Sequence, residues 1–363
     1  MQLGLSEHLS ALVARRFATA KEAGHLVFSP THLSIIIAAG IPFQLRYCPA
    51  LAKKPSNLKP ESGPKPPKPD PFQDPSPDLL LTQFPPERPT HALVLNKFPV
   101  IPNHFILATK EWKPQTDLLE KVDLEATYEC LQAWNEPEPK KDPQSSDEDP
   151  PIPSKRLFAF FNSGDESGAS QPHRHLQFLP VEAMRQPESQ GWHPLIEILA
   201  AQPHPQAQAQ FLTLPHLPFA HFALPIPPNP TPEALHEIYL SLYRVAIAAT
   251  EGDNPRSLST STSASKPVRA EGPAAISYNL ALTLSTMMIC PRRQETARVP
   301  VDAVAAPEIA DHGVVSLNGT ILAGTLMVKA EAEWDALRGN PEILTRILAD
   351  VGFARGEVKT AVL

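Results

Sequence analysis

Leu157-Phe158-Ala159-Phe160-Phe161, then Asn162-Ser163-Gly164-Asp165-Glu166-Ser167-Gly168-Ala169-Ser170-Gln171-Pro172, then His173-Arg174-His175-Leu176-Gln177-Phe178-Leu179 read as strand, Gly/Ser loop and second strand. Strand alternation predicts that His173, His175 and Gln177 share one face, with Leu176 and Phe178 turned into a core and Arg174 turned away from the polar row. With thirteen histidines in 363 residues, the HxH spacing alone is close to a chance event. The loop in front of it carries the signal. Its glycines permit close backbone approach, and its amide and hydroxyl groups can hold phosphate oxygens. A nucleophile beside such a cradle points to transfer at phosphorus. A metal reading of the pair stays open, with Asp165, Glu166 or His104 as a third ligand.

Outward from this centre, Leu9, Leu12, Val13 and Phe17 lie at helical spacing within Ser6–Lys21, and Gly24 ends the run. Strands are predicted at 33–37, 43–47, 91–94, 105–108, 276–282, 287–290 and 322–328. Asp123 is read as the cap of a helix bearing Leu124, Tyr128, Leu131 and Trp134, and Thr231 as the cap of a helix opening on Pro232. Lys- and Pro-rich 49–71 is read as a loop. Residues 136–153 and 254–266 are read as surface insertions, because neither has the apolar content to join a core. Strands with flanking helices and no βαβ alternation give an α+β fold with antiparallel sheets.

The length suggests two units, 1–202 and 203–363. They echo each other: Phe98 to Phe105 resembles Leu217 to Phe222, Phe160-Phe161-Asn162 resembles Ser277-Tyr278-Asn279, and His175 to Pro180 resembles Thr286 to Pro291. These echoes predict a duplicated unit with catalysis in one copy.

A net charge of −7 argues against nucleic acid or an acidic membrane as partner. Three cysteines without CxxC spacing provide neither a disulfide framework nor a thiolate zinc site. No apolar run reaches the ~18 residues of a membrane span. The expected setting is cytoplasmic, and a nuclear pool would leave no certain trace.

The run from Asn162 to Gln177 resembles the fungal-type diadenosine tetraphosphate phosphorylases (ATP adenylyltransferases), the His-x-His-x-Gln branch of the histidine-triad superfamily. Phe43-Gln44-Leu45-Arg46, Leu51-Ala52-Lys53-Lys54-Pro55, Asp70-Pro71-Phe72, Leu95 to Phe105, Ser277 to Thr283, Pro291-Arg292, Ser316-Leu317-Asn318 and Ala323-Gly324 extend the likeness over nearly the whole chain. Two departures stand out: Ser285-Thr286-Met287, where the family usually has a tryptophan before its Met, and Gly319-Thr320-Ile321 after Asn318.

The resemblance implies histidine-triad-like antiparallel sheets flanked by helices, in a catalytic N-terminal domain and a C-terminal ATP adenylyltransferase domain. It implies reversible phosphorolysis of diadenosine tetraphosphate to ATP and ADP through an adenylyl-histidine. His175 would be the nucleophile, Gln177 a hydrogen-bond donor to a phosphoryl oxygen, and His173 a neighbour that positions it. Asn162, Ser163, Gly164, Gly168, Ala169, Ser170 and Gln171 would line the phosphates. Lys53, Lys54, Asn96 and Lys97 would join them from the first half, and Asn279, Arg292, Asn318 and Lys329 from the second.

A divalent cation, Mg, would accompany the nucleotide, and no tightly bound metal is expected. The partners would be dinucleoside polyphosphates, ATP, ADP and inorganic phosphate. Two alternatives remain at this point: a hexose-1-phosphate uridylyltransferase, and a nucleotide-binding protein without turnover.

Overall fold

The computed structural model describes residues 3–53, 70–136, 155–202, 211–251, 269–301 and 313–354. The candidate insertion 254–266 lies outside these residues, as do all but Glu136 of the 136–153 segment and also Lys54. In chain order the elements are α1 (Leu9–Glu22), β1 (His32–Ala38), β2 (Ile41–Tyr47), β3 (Leu80–Phe84), β4 (His91–Leu95), β5 (Phe105–Thr109), α2 (Lys121–Asn135), β6 (Leu157–Ser163), β7 (His175–Pro180), α3 (Val181–Met184), α4 (Leu195–Ala200), β8 (Phe222–Pro225), α5 (Pro232–Glu251), β9 (Tyr278–Leu282), β10 (Thr286–Pro291), β11 (Thr296–Arg298), β12 (Val314–Ser316), β13 (Thr325–Val328), α6 (Glu331–Gly339) and α7 (Glu342–Val351).

Eight strands form one sheet in the order β3-β4-β5-β7-β6-β9-β10-β8, and all its pairs are antiparallel. The sheet therefore runs through residue 202 without a break, and β6 of the first half lies beside β9 of the second. Each face has its own core. Leu176, Phe178, Phe161, Leu280 and Ile289 project onto the side where α2 and α5 pack together. Phe158, Phe160, Leu179, Met288 and Cys290 project onto the other side, covered by Trp192, by α4 and α7, and by a small sheet in which β2 pairs antiparallel with β1 and parallel with β13.

The order contains a repeat. Strand, helix, strand, strand describes both β5-α2-β6-β7 and β8-α5-β9-β10, and the sheet sequence β5-β7-β6 meets its reversal β9-β10-β8. Asn162 pairs with Asn279, the two residues that the sequence echo equates. In an antiparallel ladder, equivalent residues face each other only on a dyad, so the join has the geometry of a twofold axis.

Three local readings are corrected. Asp123 is the third residue of α2 rather than its cap. The cap is Glu120, whose backbone N–H donates to Asp123 Oδ2 at 2.8 Å in a reciprocal capping box. Residues 319–323 form a 3-10 turn, and the strand begins only at Thr325 because Gly324 adopts a left-handed φ of +66°. Pro49–Lys53 is also a 3-10 turn instead of loop. Thr231 does cap α5, accepting from Ala234 N–H at 3.2 Å.

A buried ion network fastens α2 to the strand that carries the histidines. Arg174 Nη1 donates at 2.8 Å to both Glu120 Oε1 and Asp123 Oδ2, and Asp123 Oδ1 meets His91 Nε2 at 3.0 Å. Burial works to raise the Asp123 carboxyl, but the His91 and Arg174 partners outweigh it and hold the group below its ordinary range. Asp123→Ala would leave Arg174, 2% exposed, with Glu120 alone. Stability should fall by about 3–5 kcal/mol in equilibrium denaturation, and a loss under about 1 kcal/mol would contradict this account of the network.

Candidate active site

His173 stands just before β7, held by a bridge to Pro114, and the ordered strand starts at His175. The predicted alternation nevertheless holds where it matters. Leu176 and Phe178 enter the helix-side core, Arg174 points to α2, and both histidine rings lie against Phe72, with centroids 5.8 Å away for His173 and 5.1 Å for His175.

The His175 ring is fixed by its neighbour's backbone. Its Nδ1 lies 2.8 Å from the His173 carbonyl, which can only accept, so Nδ1 carries the proton and Nε2 keeps its lone pair. Burial pushes the imidazole down from 6.5 to about 4, against the opposing pull of that carbonyl bond. A neutral ring with one defined nucleophilic nitrogen results. The His173 side chain binds elsewhere, Nδ1 to Asp70 Oδ2 at 2.6 Å and Nε2 to Thr109 Oγ1 at 3.0 Å. His173 thus orients the His175 ring through its carbonyl.

Gln115 is an unpredicted part of this arrangement. It inserts between β6 and β7 where their ladder ends: its Oε1 accepts from His175 N–H at 2.7 Å, and its Nε2 donates to the carbonyls of Asn162 (2.7 Å) and His175 (3.2 Å). Extending the Phe160–Gln177 register by two residues puts Asn162 across from His175, on the same face. Nothing in the spacing of an isolated glutamine marks that role.

His104, a candidate third metal ligand in the sequence, bonds two side-chain amides instead. Asn96 Nδ2 lies 3.0 Å from His104 Nδ1, and His104 Nε2 lies 3.1 Å from Gln177 Oε1. An amide NH₂ can only donate and an amide oxygen only accept, so the His104 proton sits on Nε2. The Gln177 oxygen is thereby engaged, and its NH₂ is left to face the cavity that Gln177 lines.

That cavity has a volume of about 530 Å³. Val100, Ile101 and Leu179 contribute apolar wall from the first half, and Val315, Ile321 and Leu326 from the second. Of the expected phosphate ligands, Asn96, Gly168, Ser170, Asn318 and Lys329 line it, and exposed Phe98 stands at its edge with the Lys97 ammonium 5.7 Å from its ring centre. Ala169 and Gln171 are partly exposed in the loop beside Ser170. Lys53 closes the 3-10 turn whose Leu51 and Ala52 reach the cavity.

Several expected phosphate ligands have other work. Ser163 falls on the helix-covered face, paired with Tyr278, because alternation along β6 turns it away from Asn162. Gly164, at φ +89°, and Gly168, at φ +77°, admit the second half rather than a phosphate alone. A Cβ on Gly164 would stand 2.8 Å from Ser277 Cα, and one on Gly168 would stand 2.6 Å from the Leu317 carbonyl oxygen. Arg292 is buried, and its guanidinium bonds the carbonyls of Val351, Gln294, Glu295 and Leu317 and the Asn279 side chain. Asn279 in turn bonds Asn162 and the Ser167 carbonyl. Both are turned inward.

Residues 2–136 and 154–200 match the family model "Ap4A phosphorylase N-terminal domain", which covers half of the chain, and 215–354 match "ATP adenylyltransferase C-terminal domain". The chain belongs to the Ap4A phosphorylase family. Among relatives from Saccharomyces cerevisiae, diadenosine 5',5'''-P1,P4-tetraphosphate phosphorylase 2 is 26% identical over 96% of this chain and 96% of its own length, and Protein APA1 is 26% identical over 97% and 96%. The crystal structure of yeast Ap4A phosphorylase Apa2 in complex with Ap4A superposes with a TM-score of 0.70 at 25% identity, covering 97% of this chain and 99% of that one. Membership in the Ap4A phosphorylase family places the α+β architecture with that of Apa2 and gives no support to the uridylyltransferase alternative.

The depressed His175 value makes stability depend on pH. The unfolded ring takes up a proton as pH falls below about 6.5, whereas the folded ring resists until about 4. Stability from this group is intact above pH 6.5 and is lost as pH falls through 4, a swing of about 2–3 kcal/mol between pH 7 and 4.5. His175→Ala should lack that component, and identical pH slopes for the two proteins in denaturant unfolding would refute the assignment.

Proposed function

We propose that this protein catalyses the reversible phosphorolysis of diadenosine tetraphosphate to ATP and ADP, with His175 as the adenylyl carrier. The observation that carries this reading is the His175 ring: neutral, oriented by the His173 carbonyl, and on the same strand face as Gln177, which lines a cavity of nucleoside size beside a loop of small residues. Family membership supports it, as does the relative solved in complex with Ap4A.

In the first step His175 Nε2 forms a bond to the phosphorus nearest one adenosine. The bridging P–O bond to the next phosphorus breaks, and its electron pair leaves with ATP. The leaving oxygen becomes a terminal phosphate oxygen, with a pKa of about 6, so it departs without an acid. The ring becomes cationic as the P–N bond forms, and the His173 carbonyl facing Nδ1–H stabilises that charge. Gln177, its oxygen engaged by His104, presents NH₂ to a non-bridging oxygen. In the second step an oxygen of inorganic phosphate attacks the adenylyl phosphorus. The P–N bond breaks, its electron pair returns to Nε2, and ADP forms.

Ser170, Asn162 and Lys329 are the proposed phosphate contacts, with Lys97 for the outer phosphates. Mg would travel on the polyphosphate. Among the described residues, no group of three or more His, Cys, Asp or Glu side chains stands together to hold a metal. Among them too, no helix is long and apolar enough to cross a membrane.

ADP labelled at the α-phosphate should, with release of inorganic phosphate, leave an acid-labile label on the wild type and none on His175→Ala, whose turnover should fall by about four orders of magnitude or more. ATP and ADP should form only when phosphate is added. A His175→Ala variant with wild-type turnover, or release of AMP without phosphate, would overturn the reading.

A further inference from the structure

We infer that Asn279 and Arg292, from the half without a nucleophile, are positioning residues that set the Asn162 amide with its NH₂ toward the reacting phosphorus. The inference rests on the adenylyl-transfer reading above.

It starts from Asn162. The Asn162 side-chain oxygen accepts twice, from Asn279 Nδ2 at 2.9 Å and from the backbone N–H of Gly319 at 2.8 Å. Its Nδ2 is buried and has no hydrogen-bond partner among the described residues. A buried amide NH₂ without a partner is costly and rare, and it calls for a ligand that arrives later. Asn162 lies across from His175 on the face that Phe160 and Gln177 present to the cavity. A non-bridging phosphoryl oxygen beside the nucleophile would supply the missing acceptor.

An asparagine can present either end of its amide, and two bonds to Oδ1 settle which. Asn279 can hold that oxygen only if its own amide is set the opposite way, with Nδ2 toward Asn162. Arg292 ensures this by donating from Nη1 to Asn279 Oδ1 at 2.5 Å, while Asn279 Nδ2 also donates to the Ser167 carbonyl at 2.9 Å. Asn279 therefore points nothing at substrate. Arg292 is locked by the carbonyls around it, and polarity passes through Asn279 to Asn162. Gly319 completes the hold because its backbone comes close: a Cβ there would stand 2.8 Å from Asn162 Oδ1.

The relay crosses the dyad-like join of the two halves, since Asn162 and Asn279 are a register pair. In the echo between the halves, Asn279 is the counterpart of Asn162. One asparagine faces the chemistry, and its counterpart orients it.

Asn279→Asp tests this with a change of shape no larger than NH₂ for O. The carboxylate keeps an acceptor for Arg292 but can no longer donate to Asn162, so the Asn162 oxygen is repelled or the amide turns over. Adenylylation of His175 by labelled ADP, and kcat for diadenosine tetraphosphate, should fall about 10- to 100-fold. KM should change less than about threefold. In an Asn162→Ala background the same substitution should have no further effect, because it acts only through Asn162.

The inference is overturned if Asn279→Asp labels and turns over like wild type. It is also overturned if the substitution lowers kcat as much again in the Asn162→Ala background. Should the Asp variant not fold, Asn279→Ser in the same cycle is read against the same two outcomes. A wild type that takes no label at all would instead defeat the adenylyl-histidine reading, and the relay with it.

Discussion

The antiparallel seam between β6 and β9 is the constraint on which the rest of this structure depends. It joins the two halves into one eight-stranded sheet and thereby fixes where everything from residue 211 onward must sit relative to the histidine loop. The loop 164–168 has to pass directly over Ser277 and Leu317, and side chains at Gly164 and Gly168 would collide with them. The same seam brings Asn318 and the 3-10 turn that follows it over Phe160 and Gln177, so that half the cavity wall belongs to the second unit. A domain description that cuts at 202 divides the sequence, but the packing does not divide there: both core clusters draw on both sides of the cut.

The join also accounts for the asymmetry between the copies. On β7 the face opposite the helices carries His175 and Gln177 and borders the cavity. On β10 the corresponding positions in the echo are Thr286 and Met288, and that face is closed by α4, Trp192 and the α7 residues Leu344, Ile347 and Leu348. Once apolar side chains fill that space, a second nucleotide has nowhere to enter. The second unit then serves as wall and support, with Arg292 buried among carbonyls that a soluble surface arginine would never meet.

The fold class and the polar face are legible in the sequence because period-two alternation is a local property. Leu176 and Phe178 in the core, Arg174 on α2 and Thr231 as a cap all follow from positions one to four residues apart. Gln115 carries no such local signal, since the His175 N–H it binds lies 60 residues away, and although His104 sits in the Leu95 to Phe105 segment, nothing local marks its bond to Gln177, 73 residues away. Arg292 and Asn279 look like phosphate ligands in the sequence for a similar reason. Residue type suggests affinity for anions, whereas direction is set by carbonyls of Leu317 and Val351 that only tertiary packing brings near. Ser163 shows the limit from the other side: it neighbours Asn162 in the chain, and the alternation that holds along β7 places it on the far face of β6 when applied there.

The chemistry of the second step follows from which groups are already engaged. Water attacking an adenylyl-histidine needs a base, and phosphate does not, because its oxygens are anionic at neutral pH. Near His175, Gln177 cannot take a proton, the His173 ring is bonded to Asp70 and Thr109, and the His104 ring lies between Asn96 and Gln177. Phe72 covers the His175 ring from one side and narrows the approach further. Each of these groups is held by a bond that also orients the nucleophile or the amide beside it. In the proposed reading, the contacts that make His175 a good acceptor of the adenylyl group also occupy Gln177, His173 and His104, and phosphate, which needs no base, is favoured over water.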